Sequence, residues 1–302
     1  MDGVINLLKE PGPTSHDMVY KIRKLLMERK VGHAGTLDPG ASGVLVVGVG
    51  RATRVLEYLL EEPKTYAFEI IFGFSTTTLD TFGEICEEGQ GQITKEDLEK
   101  ILVQFLGPQK QIPPMASAIK VGGKKLYELM REGCEIERAP RDVTIYSLEM
   151  NHAPDVIKKG SRVFLRAQVS KGTYIRSLCQ DIGEKAGLKA HMGFLLRTKS
   201  GGLKIEDALF LDEIEQKMQK GLPFLIPFDQ VLNFTEVIAL PRRQKALLNG
   251  QSLFASDVEG GFNSLKPDQK VKVYTGDKLF VGIYRYIDKE QPILQPEKIF
   301  IS

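Results

Sequence analysis

The sequence predicts an α+β fold in two domains, on three observations. The chain has 302 residues, which at roughly 100–200 residues per domain divides in two. Apolar strand-like runs and capped amphipathic helices follow one another without a regular βαβ period. After Pro223 and Pro227 the texture changes to short strands separated by turns, so residues 235–302 read as a compact, mostly β second domain. Apolar residues are 42% of the chain and charged residues 26%. That is ordinary globular usage, and a chain of this length buries a core without disulfide or metal staples.

Taken in order, residues 4–8 are a short apolar strand ended by Glu10, Pro11, Gly12 and Pro13. Thr14 or Ser15 then caps a helix running to about residue 28. Thr14 and Asp17 have capping-box spacing, and Val19, Ile22 and Leu26 repeat at helical spacing. Residues 31–43 (VGHAGTLDPGASG) carry four glycines, one proline and no periodicity, which predicts a loop. Residues 44–49 are a continuous apolar run that suits a buried strand, and residues 66–74 are a second strand. Thr94 caps a helix carrying Leu98, Ile101, Leu102 and Phe105, stopped by Gly107 and Pro108. Residues 112–141, with two prolines, two adjacent glycines and a short helix over 124–131, read as an excursion from the core. Residues 162–170 alternate, placing Val163, Leu165, Ala167 and Val169 on one face. Residues 173–186 form a helix with Ile175, Leu178, Cys179 and Ile182 inward, and 206–220 a further helix. The tail holds a short helix near 242–248 and strands at 271–274 and 279–286.

The net charge of +2 says little about partners, but its distribution says more. Residues 57–99 hold eleven acidic side chains against two lysines, and residues 156–204 hold eleven basic side chains against two acidic ones. Such segregation suits either a basic face for a polyanion or two oppositely charged solvated faces. Cys86, Cys134 and Cys179 form no CxxC pair, which suits a reduced cytoplasmic compartment. The four histidines lack ligand spacing, so no metal site is expected. The N-terminus has no signal-peptide pattern, and no apolar run approaches the roughly 18 residues of a membrane span.

Residues 44–53 (VLVVGVGRAT) imitate the opening of a dinucleotide-binding unit, but Thr53 stands where its third glycine belongs, and a plain strand exit accounts for them better. The loop around Asp38 is more informative. Residues 36–40 (TLDPG) suit a turn, yet a long glycine-rich loop between a basic helix and a buried strand also displays a reactive group. Gly35 and Gly40 let a large ligand approach the backbone, and Asp38 is a candidate nucleophile or base. Arg176 lies in the first turn of its predicted helix, off the apolar stripe, where a cation opposes the helix dipole. It is either a solvated arginine or one with a carboxylate partner. Tyr66, opening a strand, is either a core or rim aromatic or a stacking face for a base. Thr76, Thr78, Asp80 and Gly83 make a polar turn that also suits a plain hairpin.

These segments, in this order, resemble the TruB-type family of bacterial tRNA pseudouridine-55 synthases. The matching runs are residues 7–15 (LLKEPGPTS), 32–43 (GHAGTLDPGASG), 64–66 (KTY), the Thr76–Thr78–Asp80–Gly83 turn, 113–133 (PPMASAIKVGGKKLYELMREG) and 171–183 (KGTYIRSLCQDIG). Residues after about 235 are similar, more faintly, to the PUA RNA-binding module. The resemblance implies a catalytic domain over residues 1–232 on a mixed, mainly antiparallel sheet with flanking helices. It further implies a thumb-like RNA-binding insertion at 110–141 and a small PUA-like barrel at 235–302.

The activity it implies is isomerisation of uridine 55 in the T-loop of tRNA to pseudouridine, on a flipped-out nucleotide, with no guide RNA and no cofactor. By resemblance Asp38 is the catalytic aspartate, Tyr66 packs on the target ring and Arg176 pairs with the catalytic carboxylate. His33 holds the flipped-out RNA, Asp80 is an active-site carboxylate and Leu195 lines the uracil pocket. Gly35, Lys64, Lys120 and Lys171 complete the expected substrate contacts, and Lys9 belongs to a motif of structural role. Ala116 and Leu196 depart from the residues usual in the family. The implied partner is tRNA, through its T-stem-loop and acceptor stem, read by a cytoplasmic monomer that needs neither membrane nor protein partner. The alternatives are a non-catalytic tRNA-binding chaperone and a guide-RNA-dependent synthase subunit. Such subunits carry extra basic tails, and the sequence has none.

Overall fold

The computed structural model describes residues 1–134 and 136–301; Glu135, in the 110–141 excursion, and Ser302 lie outside the described residues. The chain divides into two compact units, essentially Gly3–Leu225 and Ile226–Ser302.

A nine-stranded sheet carries the first unit. Its main path runs Gly3–Lys9, Ser42–Val49, Ala190–Ser200, Lys64–Phe72, Arg162–Val169, Arg141–His152 and Gly107–Gln111. Every neighbouring pair on this path is antiparallel except Ser42–Val49 with Ala190–Ser200. This is the mixed, mainly antiparallel sheet the resemblance implied. The short strands Val31–Ala34 and Leu203–Lys204 join Ser42–Val49 and Ala190–Ser200.

Local sequence explains most of these elements. The strand Arg162–Val169 buries Val163, Leu165, Ala167 and Val169 and exposes Arg162, Phe164 and Arg166, as strict alternation requires. In Ser42–Val49 both faces are covered, so its apolar run is continuous. The helix Ser15–Leu26 opens with the expected capping box: Asp17 N–H donates to Thr14 Oγ1 (3.0 Å) and Thr14 N–H to the Asp17 carboxylate (2.8 Å). Two cores form. Helices Lys95–Val103 and Ile175–Lys185 supply Leu98, Leu102, Leu178 and Ile182 to a cluster with Phe68, Ile70, Phe72 and Leu165. Helices Ser15–Leu26 and Leu211–Gln219 supply Val19, Ile22 and Ile214 to another with Ile5, Leu7, Leu45 and Val47.

Several expectations need correction. Residues 31–43 are not all loop: Val31–Ala34 is a strand, because Val31 and Ala34 find a buried edge on Ser42–Val49. The helix opened by Thr94 ends earlier than expected, at Val103, and Gly107 and Pro108 instead begin an edge strand, where a proline's missing donor costs nothing. Strands Arg141–His152 and Ala190–Ser200 escaped the sequence reading because register shifts, two in each, break their period of two. The helix over 124–131 is shorter, Leu126–Arg131, because Lys124–Lys125 pair back on Lys120–Val121 across two left-handed glycines. Residues 206–220 split into a 3₁₀ turn, Ile205–Asp207, and the helix Leu211–Gln219.

The second unit is built on a five-stranded sheet ordered Thr235–Ile238, Lys270–Tyr274, Phe280–Ile287, Ile293–Ile299, Leu253–Phe254. Its first pair is parallel and the rest antiparallel. Residues 226–232 pack with this unit. The Phe228 ring lies 5.8 Å from Phe280 and 4.9 Å from Phe300, and Asp229 accepts a hydrogen bond from the Tyr274 hydroxyl (3.0 Å). No described helix of either unit is long and apolar enough to cross a membrane.

Candidate active site

The strand Ser42–Val49 has Gly3–Lys9 along one side for its whole length. Its other side is shared. Val46–Val49 pair with Val31–Ala34, whereas Ser42 and Gly43 meet Leu196 and Arg197. The sheet forks at that point, and residues 35–41, leaving Ala34 and re-entering at Ser42, cross the fork. They are the Asp38 loop. Gly43 makes the close approach possible: its φ is 110°, and a Cβ there would lie 2.2 Å from the Arg197 carbonyl oxygen.

Two fully buried cations hold this loop by its carbonyls. Lys9 Nζ donates to the carbonyls of Ala41 (2.7 Å), Glu10 (3.1 Å), Asp38 (3.2 Å) and Pro39 (3.2 Å). Arg197 fills the fork, donating from Nε to Val44 O (2.8 Å) and from its terminal nitrogens to Gly35 O (3.0 Å) and Thr36 O (3.4 Å). Buried Ser15 closes the set: its hydroxyl accepts from Leu37 N–H (2.9 Å) and donates to Leu37 O (3.2 Å). These ties hold the loop from Gly35 to Ala41, on both sides of Asp38, so its carboxylate projects from a rigid base. Burial pulls the Lys9 ammonium down to about 8, Arg197 adds to the fall and Asp38 opposes it.

Arg176 is 4% exposed and its Nη2 lies 2.9 Å from Asp38 Oδ2. The same guanidinium donates to Ala116 O (2.8 Å) and Thr78 O (3.1 Å), and its Nη1 lies 3.8 Å from Asp80 Oδ2. A cation early in a helix against the dipole is thus explained by a carboxylate and two carbonyls. Burial pushes the Asp38 carboxyl above its ordinary value, Arg176 pulls it back and the Asp80 charge pushes it up again. Two-fifths of the Asp38 side chain remains open to solvent, and the net shift is upward, with the Arg176 guanidinium the largest force against it. Asp80 itself organises the polar turn. Its carboxylate accepts from Thr78 Oγ1 (2.5 Å) and Phe82 N–H (3.0 Å), and its carbonyl accepts from Thr76 Oγ1 (2.6 Å).

Tyr66 is half-buried and packs against the cluster containing Leu37, Ala41 and the buried Leu195. Leu37 and Ala41 belong to the loop itself, and Leu195 lies on the strand Ala190–Ser200, opposite Phe68. His33 lies on Val31–Ala34, opposite Val47. Burial, Arg197 and His16 hold its imidazole below the ordinary value, hence neutral, and its Nδ1 has no hydrogen-bond partner. Gly35 takes φ 82° beside the Arg197 guanidinium. The lysines are placed differently. Lys64 is buried and its ammonium donates to the carbonyls of Leu60 and Glu62, capping the helix Leu56–Glu61. Lys171 is exposed and paired with Glu61 (2.5 Å), and Lys120 is exposed on the small hairpin of the excursion.

Sequence reasoning missed Arg197 and Gln111, and left Lys9 outside the site. Gln111, 4% exposed, pairs with both backbone groups of Tyr174: Tyr174 N–H donates to Oε1 (2.8 Å) and Nε2 donates to Tyr174 O (3.1 Å). Ser177 Oγ donates to Ile112 O (2.8 Å). The segment 111–116 therefore templates the start of the Arg176 helix, whose N-terminus has no side-chain cap of its own. Among the described residues no group of three or more His, Cys, Asp or Glu side chains is arranged to hold a metal ion.

Residues 23–175 match the sequence family described as TruB family pseudouridylate synthase (N terminal domain), and residues 176–232 match the tRNA pseudouridylate synthase B C-terminal domain. The tRNA pseudouridine synthase B of Bacillus pumilus is 43% identical over 99% of this chain and 97% of that protein. That of Streptococcus pneumoniae serotype 2 is 42% identical over 99% of this chain and all of that protein. Among solved structures, a chain of a Cbf5–Nop10–Gar1 complex superposes with a TM-score of 0.75 at 28% identity, over 99% of this chain and 85% of that one. With the forked sheet, the held loop and the Asp38–Arg176 pair in place, these matches settle the family: the chain belongs to the TruB pseudouridylate synthases.

Proposed function

We propose that the chain isomerises uridine 55 in the T-loop of tRNA to pseudouridine, acting as a cytoplasmic monomer without guide RNA, cofactor or obligate protein partner. One observation carries this reading: an accessible carboxylate on a rigid loop, 2.9 Å from a buried guanidinium. Its match over nearly the full length of relatives named tRNA pseudouridine synthase B supports a stand-alone tRNA enzyme over a guided subunit. The reading takes residues 110–141 as the thumb that clamps the T-loop and the second unit as the PUA-like holder of the acceptor stem. Seven basic side chains in the first and a five-stranded sheet in the second support those roles.

The reaction breaks N1–C1′ and forms C5–C1′ on the same ribose; C5 loses a proton and N1 gains one. The target base must first leave its stack at a cost of a few kcal/mol. Phosphate contacts along the basic segments offset part of that. Tyr66 and Leu195 receive the base, and neutral His33 fills its place in the loop without adding charge. Asp38 then acts as the ionised carboxylate, attacking C6 or C1′ or taking the C2′ proton on a glycal route. Each of these needs the pair form, because a carboxylate desolvated by RNA without a cation would protonate.

The test is incubation of purified protein with unmodified tRNA transcript alone, mapped by carbodiimide-stop primer extension. Conversion at the T-loop uridine is expected, and none with Asp38→Asn, although that variant still binds. No conversion by the wild type, or appreciable product from Asp38→Asn, overturns the assignment.

A further inference from the structure

Resting on that reading, we infer that Phe82 is a stacking platform for an unpaired nucleobase of the RNA beside the target uridine. Phe82 is 78% exposed, on the turn that carries Asp80. A single exposed apolar ring is ordinary on a protein surface; what sets this one apart is its place at the rim of the site. A Cβ built on Gly40 would lie 2.2 Å from the Phe82 ring, so the ring rests against the Gly40 main chain, two residues from Asp38. A side chain at position 40 would displace the ring from this seat.

The ring's base is held by the active-site network itself. Phe82 N–H donates to Asp80 Oδ1 (3.0 Å), and the other oxygen of that carboxylate lies 3.8 Å from the Arg176 guanidinium that pairs with Asp38. The next residue, Gly83, closes the turn so tightly that a Cβ there would lie 2.6 Å from Thr78 N. The backbone that carries the ring is thus tied to the turn of Asp80 before substrate arrives. RNA recognised through a splayed loop presents unstacked bases next to the flipped one, and an aromatic face takes any of them. The competing role is packing alone, the ring serving to hold the Asp38 loop down on Gly40.

The experiment uses the full chain and a T-stem-loop RNA, either intact or with one abasic ribose at each loop position other than the target. Dissociation constants and single-turnover conversion are read for wild type, Phe82→Ala, Phe82→Leu and Phe82→Trp. On the intact loop Phe82→Ala and Phe82→Leu weaken binding about 5- to 150-fold, the span of one stacked base, whereas Phe82→Trp holds. On one abasic RNA the wild type falls to the level of the variants, and the variants fall no further. Wild-type affinity in Phe82→Leu, or a Phe82→Ala deficit that persists unchanged on every abasic RNA, overturns the inference and leaves packing as the role. If the wild type binds without converting any RNA, the isomerase reading fails, and the binding measurements still decide the role of Phe82.

Discussion

Replacing Arg176 by lysine keeps the charge and removes the fork. The guanidinium makes three contacts at once: Asp38 at 2.9 Å, Ala116 O at 2.8 Å and Thr78 O at 3.1 Å. A shorter side chain ending in a single nitrogen cannot span two carbonyls and a carboxylate in these directions. It keeps one partner and leaves the others unsatisfied in a pocket where the arginine is 4% exposed. Each lost charged hydrogen bond is worth about 1.5–3 kcal/mol; taking the lower figure for two gives about 3 kcal/mol, or roughly a 100-fold slower step. The assay is single-turnover conversion of T-stem-loop RNA at saturating enzyme, with the dissociation constant measured separately. The loss should fall on the rate, since the guanidinium faces the carboxylate and the protein's own carbonyls. A rate within about threefold of wild type would falsify the claim that the fork, rather than its charge, aims Asp38.

Three further outcomes follow from the same geometry. In Asp80→Asn the like charge that pushes Asp38 up is gone; since activity requires ionised Asp38 and disappears as pH falls through its pKa, the acid limb of the residual rate moves to lower pH, and an upward shift contradicts the assignment. In Gln111→Leu the two backbone groups of Tyr174 lose their partners, at roughly 2 kcal/mol. The thermal midpoint should then drop by roughly 4–8 °C, and conversion should fall while RNA affinity holds, because Arg176 loses its template; unchanged turnover in a folded variant refutes the coupling. Lys9 is held at about 8 in the folded chain against 10.5 when free. Between those values the unfolded chain binds more protons, so this lysine's contribution to stability rises with pH. Urea denaturation should show the gap between wild type and Lys9→Met widening by about 2 kcal/mol from about pH 7.5 to about pH 9.5, and a gap that narrows refutes the burial argument.

The legible parts of the fold and site were those written in local pattern. Alternation named the strand Arg162–Val169, and cap spacing named the start of Ser15–Leu26. Arg176 drew attention because a cation there opposes its helix dipole, and its partner proved to be Asp38. What stayed hidden is non-local. Lys9 and Arg197 look like any surface cations in sequence, yet both are buried, and their acceptors lie about 30 and 150–160 positions away. Gln111 sits in an edge strand opened by a proline, and nothing near it in the chain signals that its amide mates with Tyr174, 63 residues on. The long strands Arg141–His152 and Ala190–Ser200 hide because each shifts register twice.

The hidden residues explain why a carboxylate can work here at all. RNA brings phosphates, and their field raises the pKa of any nearby acid. A lone Asp on a loop would meet its substrate by taking up a proton. Here the loop is flanked by buried cations, Lys9, Lys64, Arg176 and Arg197, of which Arg176 and then Lys9 pull the Asp38 carboxyl down against burial and Asp80. His33 is held neutral and leaves that balance alone. Lys9 and Arg197 spend their hydrogen bonds on loop and strand carbonyls, so their donors stay occupied and cannot bind phosphate, while the Lys9 charge still reaches Asp38. Among the described residues, Arg176 is the one that turns a donor to the carboxylate itself. The fork in the sheet makes this possible, because it opens a space large enough to bury the Arg197 side chain and leaves carbonyls there with no strand to pair with. Structure and electrostatics are then one device: Lys9, whose donors tie the loop down, and Arg176, which pairs with the carboxylate, both oppose the upward push on Asp38.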